Sequence, residues 1–155
     1  MSSPTGQGRT LFLDTSALLR AYLVSEPYSA QVQQALRDAE QVVVNLLAGL
    51  EFTTALTQRA HRDHAARLSG RQFTLLLESF KADWETFNVV PLDEALLLGA
   101  SDLVIRQRAL GLRSMDAIHV ASAQLAATAF DDLVFLTFDE RQRRAAEAEG
   151  LILLT

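Results

Sequence analysis

Four carboxylates in this chain stand among neighbours that give no reason for a charge. Asp14 ends the apolar run Leu11-Phe12-Leu13, and Glu51 lies inside Leu46-Leu47-Ala48-Gly49-Leu50-Glu51-Phe52. Asp116 is set among Met115, Ala117, Ile118, Val120 and Ala121, and Asp139 follows the apolar run 133–138. A carboxylate in apolar surroundings is costly unless it is paired, hydrogen-bonded or bound to a cation. Each of the four also has a plain structural reading. Asp14 and Asp139 can cap the helices that follow them, Arg113 can pair with Asp116, and Glu51 fits the polar side of an amphipathic helix. As a set drawn from the beginning, middle and end of the chain, they point to hard-cation chemistry. Magnesium takes one or two carboxylates together with waters and substrate phosphate. Two such ions about 3.5–4 Å apart would activate a water and steady the leaving oxygen of a phosphodiester displacement, with no nucleophilic side chain required.

Other constellations are absent or weaker. The chain has no cysteine, which excludes disulfides, thiolate catalysis and sulfur-ligated zinc. It has no Gly-rich phosphate loop and no Gly-x-Ser-x-Gly elbow. An aspartyl-nucleophile phosphatase would need a second Asp two positions after Asp14, where Ser16 stands. His61 and His64, beside Arg59, Arg62 and Asp63, read as a solvated face with no third ligand in sight. His119, one helical turn beyond Asp116, reads as a packed or hydrogen-bonded side chain. The net charge of −5 excludes a grip on nucleic acid by bulk electrostatics, but metal bound to a carboxylate cluster would neutralise much of that charge locally. Arg106, Arg108 and Arg113 precede or flank Asp116, and Arg141, Arg143 and Arg144 follow Asp139. Singly they read as surface charges; together they could meet phosphates.

Short apolar strands alternating with helices must position these groups. The pattern predicts strands over 10–13, 41–44, 88–91, 133–137 and 151–154. It predicts helices from Thr15, from Ser25-Glu26-Pro27 to about 39, from Asn45 to about 61, and from a Ser69–Gln72 capping box to about 87. Further helices run from Asp93 to 110 with Gly111 as the stop, over 114–129, and from Asp139, and a turn falls near 63–68. Continuously apolar strands between helices imply an α/β fold, a mostly parallel central sheet covered on both faces. Ligands in such sheets gather beyond the carboxyl ends of the strands, where Asp14 and Asp139 would stand. The 155 residues are 49% hydrophobic, which suits one domain, here 10–155, behind a flexible tail over 1–9. The tail lacks the apolar core of a secretory signal, and no apolar run approaches the ~20 residues that cross a bilayer, so a soluble, cytoplasmic protein is expected.

Four segments in order carry a family resemblance: Leu11-Phe12-Leu13-Asp14-Thr15-Ser16-Ala17-Leu18, Leu47-Ala48-Gly49-Leu50-Glu51, Leu112-Arg113-Ser114-Met115-Asp116-Ala117-Ile118-His119-Val120-Ala121, and Leu136-Thr137-Phe138-Asp139-Glu140-Arg141. Together they resemble the PIN domain family and, within it, the VapC toxins of bacterial toxin–antitoxin pairs. The first and third are the specific ones. The resemblance implies a three-layer α/β/α sandwich and an endoribonuclease dependent on Mg2+, with Mn2+ as a substitute. It implies Asp14 and Asp116 as metal ligands, Glu51 and Asp139 completing an acidic catalytic pocket, and supporting hydroxyls from Thr15, Ser16 and Thr137. RNA would be the substrate, a cognate antitoxin the inhibitor, and a homodimer the assembly, with the triplets Leu75-Leu76-Leu77 and Leu96-Leu97-Leu98 as interface candidates. The competing expectation is a catalytically silent PIN-like module whose acidic pocket binds a basic peptide.

Overall fold

The apolar runs form five strands, β1 (Arg9–Leu13), β2 (Ala39–Asn45), β3 (Asn88–Val90), β4 (Leu133–Leu136) and β5 (Ile152–Leu153). They lie in the spatial order β3-β2-β1-β4-β5, and every pairing is parallel. The computed structural model describes residues 8–61 and 67–154. Among the described residues, seven α-helices cover the sheet: α1 (Thr15–Tyr22), α2 (Ser29–Asp38), α3 (Leu46–His61), α4 (Gly70–Trp84), α5 (Glu94–Arg106), α6 (Ser114–Ala127) and α7 (Glu140–Ala148).

Successive strand residues face opposite sides of the sheet, and two cores result. Phe12, Val43 and Phe135 meet α5, α6 and α7 on one face, while Leu11, Leu13, Val44, Val134 and Leu136 meet α1 to α4 on the other. The fold is therefore the expected three-layer sandwich. From β1 the chain builds outward through β2 and β3, then returns to lay β4 and β5 on the opposite side of β1. The carboxyl ends of β1 and β4 thus flank the switch point at which such sheets bind ligands.

The capping expectations hold in detail. Asp14, Ser69, Asp93 and Asp139 each accept a hydrogen bond from the backbone N–H three residues on. Several boundaries move. β1 begins at Arg9, inside the stretch expected as tail, while residues 1–7 and most of the turn expected near 63–68 lie outside the described residues. The helix predicted from Ser25 starts only at Ser29, because residues 25–28 are held in a turn. Arg20 Nε donates to the Pro27 carbonyl (3.1 Å), Ser29 Oγ donates to the Arg20 carbonyl (2.7 Å), and Glu26 pairs with Arg59. The helix predicted to reach 87 ends at Trp84, and the one predicted to reach 110 ends at Arg106. A 3-10 turn over Arg108–Leu110 follows, stopped by Gly111 at φ 60°, a left-handed conformation that glycine adopts without strain. Leu96 belongs to the core, whereas Leu75, Leu97 and Leu98 are exposed.

One buried polar link ties the layers together behind the site. Asn45, at the end of β2, donates through Nδ2 to Ser122 Oγ of α6 (2.8 Å), and its Oδ1 accepts from Leu47 N (2.7 Å). Ser122 Oγ in turn donates to the Ile118 carbonyl (2.6 Å). Asn45→Ala deprives buried groups of partners as well as removing two hydrogen bonds, so we expect a loss of about 1–3 kcal/mol. Urea titration should show it as a lower midpoint at unchanged slope.

Candidate active site

Asp14 leaves β1 in an extended conformation, caps α1, and is fully buried. Its Oδ1 accepts from Ala17 N (2.9 Å), its Oδ2 accepts from Thr137 Oγ1 (2.6 Å), and Ser16 Oγ stands 2.7 and 2.8 Å from the two oxygens. Both hydroxyls are themselves fixed by backbone just beyond β4. Phe138 N donates to Ser16 Oγ (2.9 Å) and Asp139 N donates to Thr137 Oγ1 (3.0 Å). Burial pushes the Asp14 pKa up, and the bonds from Thr137, Ala17 and Ser16, with the nearby charge of His119, only partly offset it. Burial is thus the dominant influence on this carboxylate.

Asp116 sits in the first turn of α6, almost wholly buried. Its Oδ2 accepts from Arg113 N (3.1 Å) and Arg113 Nε (3.3 Å), and its Oδ1 accepts from Gln142 Nε2 of α7 (3.3 Å). The Arg113 guanidinium, 66% exposed, reaches on to Asp139 Oδ2 (3.5 Å), so one arginine spans two of the four carboxylates. Asp139 meanwhile caps α7 through Oδ1 and Gln142 N (3.0 Å).

Glu51 points from α3 to the start of α1, where its Oε1 accepts from Thr15 Oγ1 (2.7 Å) and contacts His119 Nε2 (2.7 Å). Because the carboxylate is the acceptor, Nε2 carries the hydrogen of that contact; Nδ1 is buried with no partner among the described residues. Burial raises the Glu51 pKa, but the hydrogen bond and charge of His119, with Thr15, outweigh it, and the net shift is downward despite the opposing charge of Asp116.

All seven residues singled out from the sequence therefore occupy one region, in two hydrogen-bonded clusters that meet at the Asp14–Thr15 peptide. Of the arginines, Arg113 joins the cluster, Arg106 is engaged by Glu149, and Arg144 pairs with Glu140. His61 is exposed at the end of α3, and His64 lies outside the described residues.

A family model described as PIN domain matches residues 11–148. The chain belongs to the PIN domain family. It is 30% identical over 144 residues to ribonuclease VapC46 of Mycobacterium tuberculosis, covering 93% of this chain and 95% of the relative. This PIN domain is thus a homologue of a VapC ribonuclease. Its fold resembles FitAcB from Neisseria gonorrhoeae, with TM-score 0.68 at 17% identity, covering 94% of this chain and 96% of that one. It also resembles a toxin–antitoxin complex from Klebsiella pneumoniae, with TM-score 0.62 at 18% identity, covering 94% and 96%.

PIN ribonucleases generally use a divalent metal, and the donor set here fits one. The available ligands are hard carboxylate and amide oxygens; among the described residues Asp14 is desolvated with no cationic side chain in hydrogen-bond contact, and Gln142 Oε1, on the side chain that holds Asp116, is buried without a partner. Among the described residues no three acidic or histidine side chains form a ready-made cage. Gln142 is the member of this PIN domain's site that sequence reading overlooked. Its signal was the 142, 145, 146 spacing, which puts one glutamine on the inward face of α7 with Ala145 and Ala146.

Proposed function

We propose that this chain is a magnesium-dependent endoribonuclease that acts as the toxin of a toxin–antitoxin pair, with manganese as a substitute metal. The observation that carries this reading is the meeting of Asp14, Glu51, Asp116 and Asp139, from four distant segments, beside the switch point of the sheet. Asp14 and Asp116 would hold the metal, which when bound supplies Lewis-acid stabilisation of the phosphate and a lowered pKa for water. Thr137, Ser16 and Ala17 N aim the Asp14 oxygens. Gln142 and Arg113 fix Asp116, and His119 and Thr15 hold Glu51 ionised and oriented. Asp139 completes the acidic rim. The family kinship further supports an antitoxin that covers the site, a homodimer joined through exposed leucines such as Leu97 and Leu98, and action in the cytoplasm. No described helix is long and apolar enough to cross a membrane.

The test is incubation of purified, antitoxin-free protein with mixed cellular RNA in magnesium, in chelator, and as Asp116→Asn. Discrete new fragments should arise only with the parent protein and metal. Magnesium at about ten times its dissociation constant should also raise the melting temperature of the parent by about 2–5 °C. A second reading has one observation behind it: the guanidinium of Arg113 already bridges Asp116 and Asp139, as a basic peptide would. Tight binding of an Arg-rich peptide, with no cleavage of any RNA under any metal, would favour that silent module.

A further inference from the structure

Next to the acidic pocket lies a cleft of about 510 Å3 that shares two of its walls, Thr137 and Asp139, with that pocket. Phe138, between those two residues, and Tyr28 also line it. The two rings stack with centroids 5.6 Å apart and planes at 19°, and the Arg20 guanidinium lies 4.3 Å from the Phe138 centroid. Arg20 is anchored by Nη1 to the Ser16 carbonyl (2.8 Å) and by Nε to the Pro27 carbonyl (3.1 Å). The aromatic stack is thereby tied to Ser16, which itself hydrogen-bonds Asp14.

Tyr28 is unusual in its backbone. It is the only non-glycine among the described residues with positive φ, at 66°, a conformation disfavoured for bulky side chains and found where a local constraint holds it. The result is a tyrosine 59% exposed, with its ring turned over the cleft rather than into either core. Gln31 adds an amide that both donates and accepts, and Arg143, 52% exposed, makes among the described residues only a 3.9 Å contact with Glu147. An aromatic surface, an amide and a loosely held guanidinium together match one base and phosphate of a single strand. A basic peptide would instead meet Arg20 and Arg143.

We infer that the Tyr28–Phe138 cleft is a nucleobase subsite: a base of single-stranded RNA beside the scissile phosphate stacks on Tyr28, and Arg143 meets the adjoining phosphate. The inference rests on the ribonuclease reading and deepens it, adding recognition of one flanking base by this chain's own Tyr28. Tyr28 is then a positioning residue for substrate.

The test is steady-state cleavage of a short single-stranded RNA, and of a series carrying one abasic site at each position in turn, by the parent, Tyr28→Asn and Tyr28→Phe. Asn tolerates the left-handed conformation, so Tyr28→Asn keeps the turn while removing the ring. Loss of one base–aromatic stack corresponds to about a tenfold rise in KM, with kcat changed far less; Tyr28→Phe retains parental KM. One abasic position next to the cut should raise KM for the parent by a similar factor and have no further effect in Tyr28→Asn, the non-additivity expected of partners in contact. Unchanged KM in Tyr28→Asn, or abasic penalties equal in parent and variant, overturns the subsite while leaving the ribonuclease reading in place. Failure of the parent to cut any RNA with magnesium or manganese overturns both.

Discussion

Asp14→Asn should lower RNA cleavage by at least about a thousandfold, the few kcal/mol of transition-state stabilisation that a well-held metal supplies, while making the metal-free protein harder to melt. Both effects come from one feature, a carboxylate placed where burial opposes its charge. An amide keeps the volume and serves equally well as a helix cap, so α1 retains its start. It removes the charge, and with it the desolvation cost and the metal affinity proposed for this residue.

The pH dependence follows from the direction of the shift. Asp14 has a folded pKa above its ordinary value of 3.8. Its destabilising effect is therefore complete above the folded pKa, fades as pH falls through that value, and is gone below the unfolded one. In chelator, the melting temperature of Asp14→Asn should exceed that of the parent most at neutral pH, and the two should converge on acidification. Glu51 carries the opposite sign. Its lowered pKa contributes stability above the unfolded value that is lost as pH falls through the folded one. Glu51 is present in both proteins, so the difference between them isolates Asp14. Magnesium should stabilise the parent and leave Asp14→Asn unmoved. Equal cutting by the two proteins would remove Asp14 from the site, and a lower melting temperature for the variant at every pH would show that its hydrogen bonds outweigh its desolvation.

Phe52→Ala should cost about 3–5 kcal/mol, a large part of the ~5–15 kcal/mol that holds a domain together. Phe52 is fully buried, stacks on Phe80 of α4 at 4.0 Å and 23°, and meets the edge of Tyr22 of α1 at 5.1 Å. It thus joins three helices, and it is the residue after Glu51. Removing the ring leaves a void that those helices can close only by shifting. Chemical denaturation should show a much lower midpoint with the slope unchanged. Phe52→Leu, which refills much of the volume, should cost markedly less. A loss below about 1 kcal/mol in Phe52→Ala would mean that the helices repack freely and that this cluster does not hold α3 in place.

Neighbouring residues dictate only local features. Strand and helix follow from apolar runs and their spacing, and the caps at Asp14, Ser69, Asp93 and Asp139 are read within three residues of chain. The four carboxylates were legible for the same reason, since a charge among apolar neighbours is anomalous wherever it occurs. Tertiary structure alone decided the strand order, the sharing of Arg113 between Asp116 and Asp139, the role of Gln142, and the pairing of Glu51 with His119 across 68 positions of chain. It also overrode one local signal. Ser25-Glu26-Pro27 reads as a helix start, yet Arg59 and Arg20 engage Glu26 and Pro27 in a turn and leave Tyr28 left-handed at its end. Local preferences differ by fractions of a kcal/mol, so contacts between residues far apart in the chain settle such cases, and those partners are set only once both layers of helices close on the sheet.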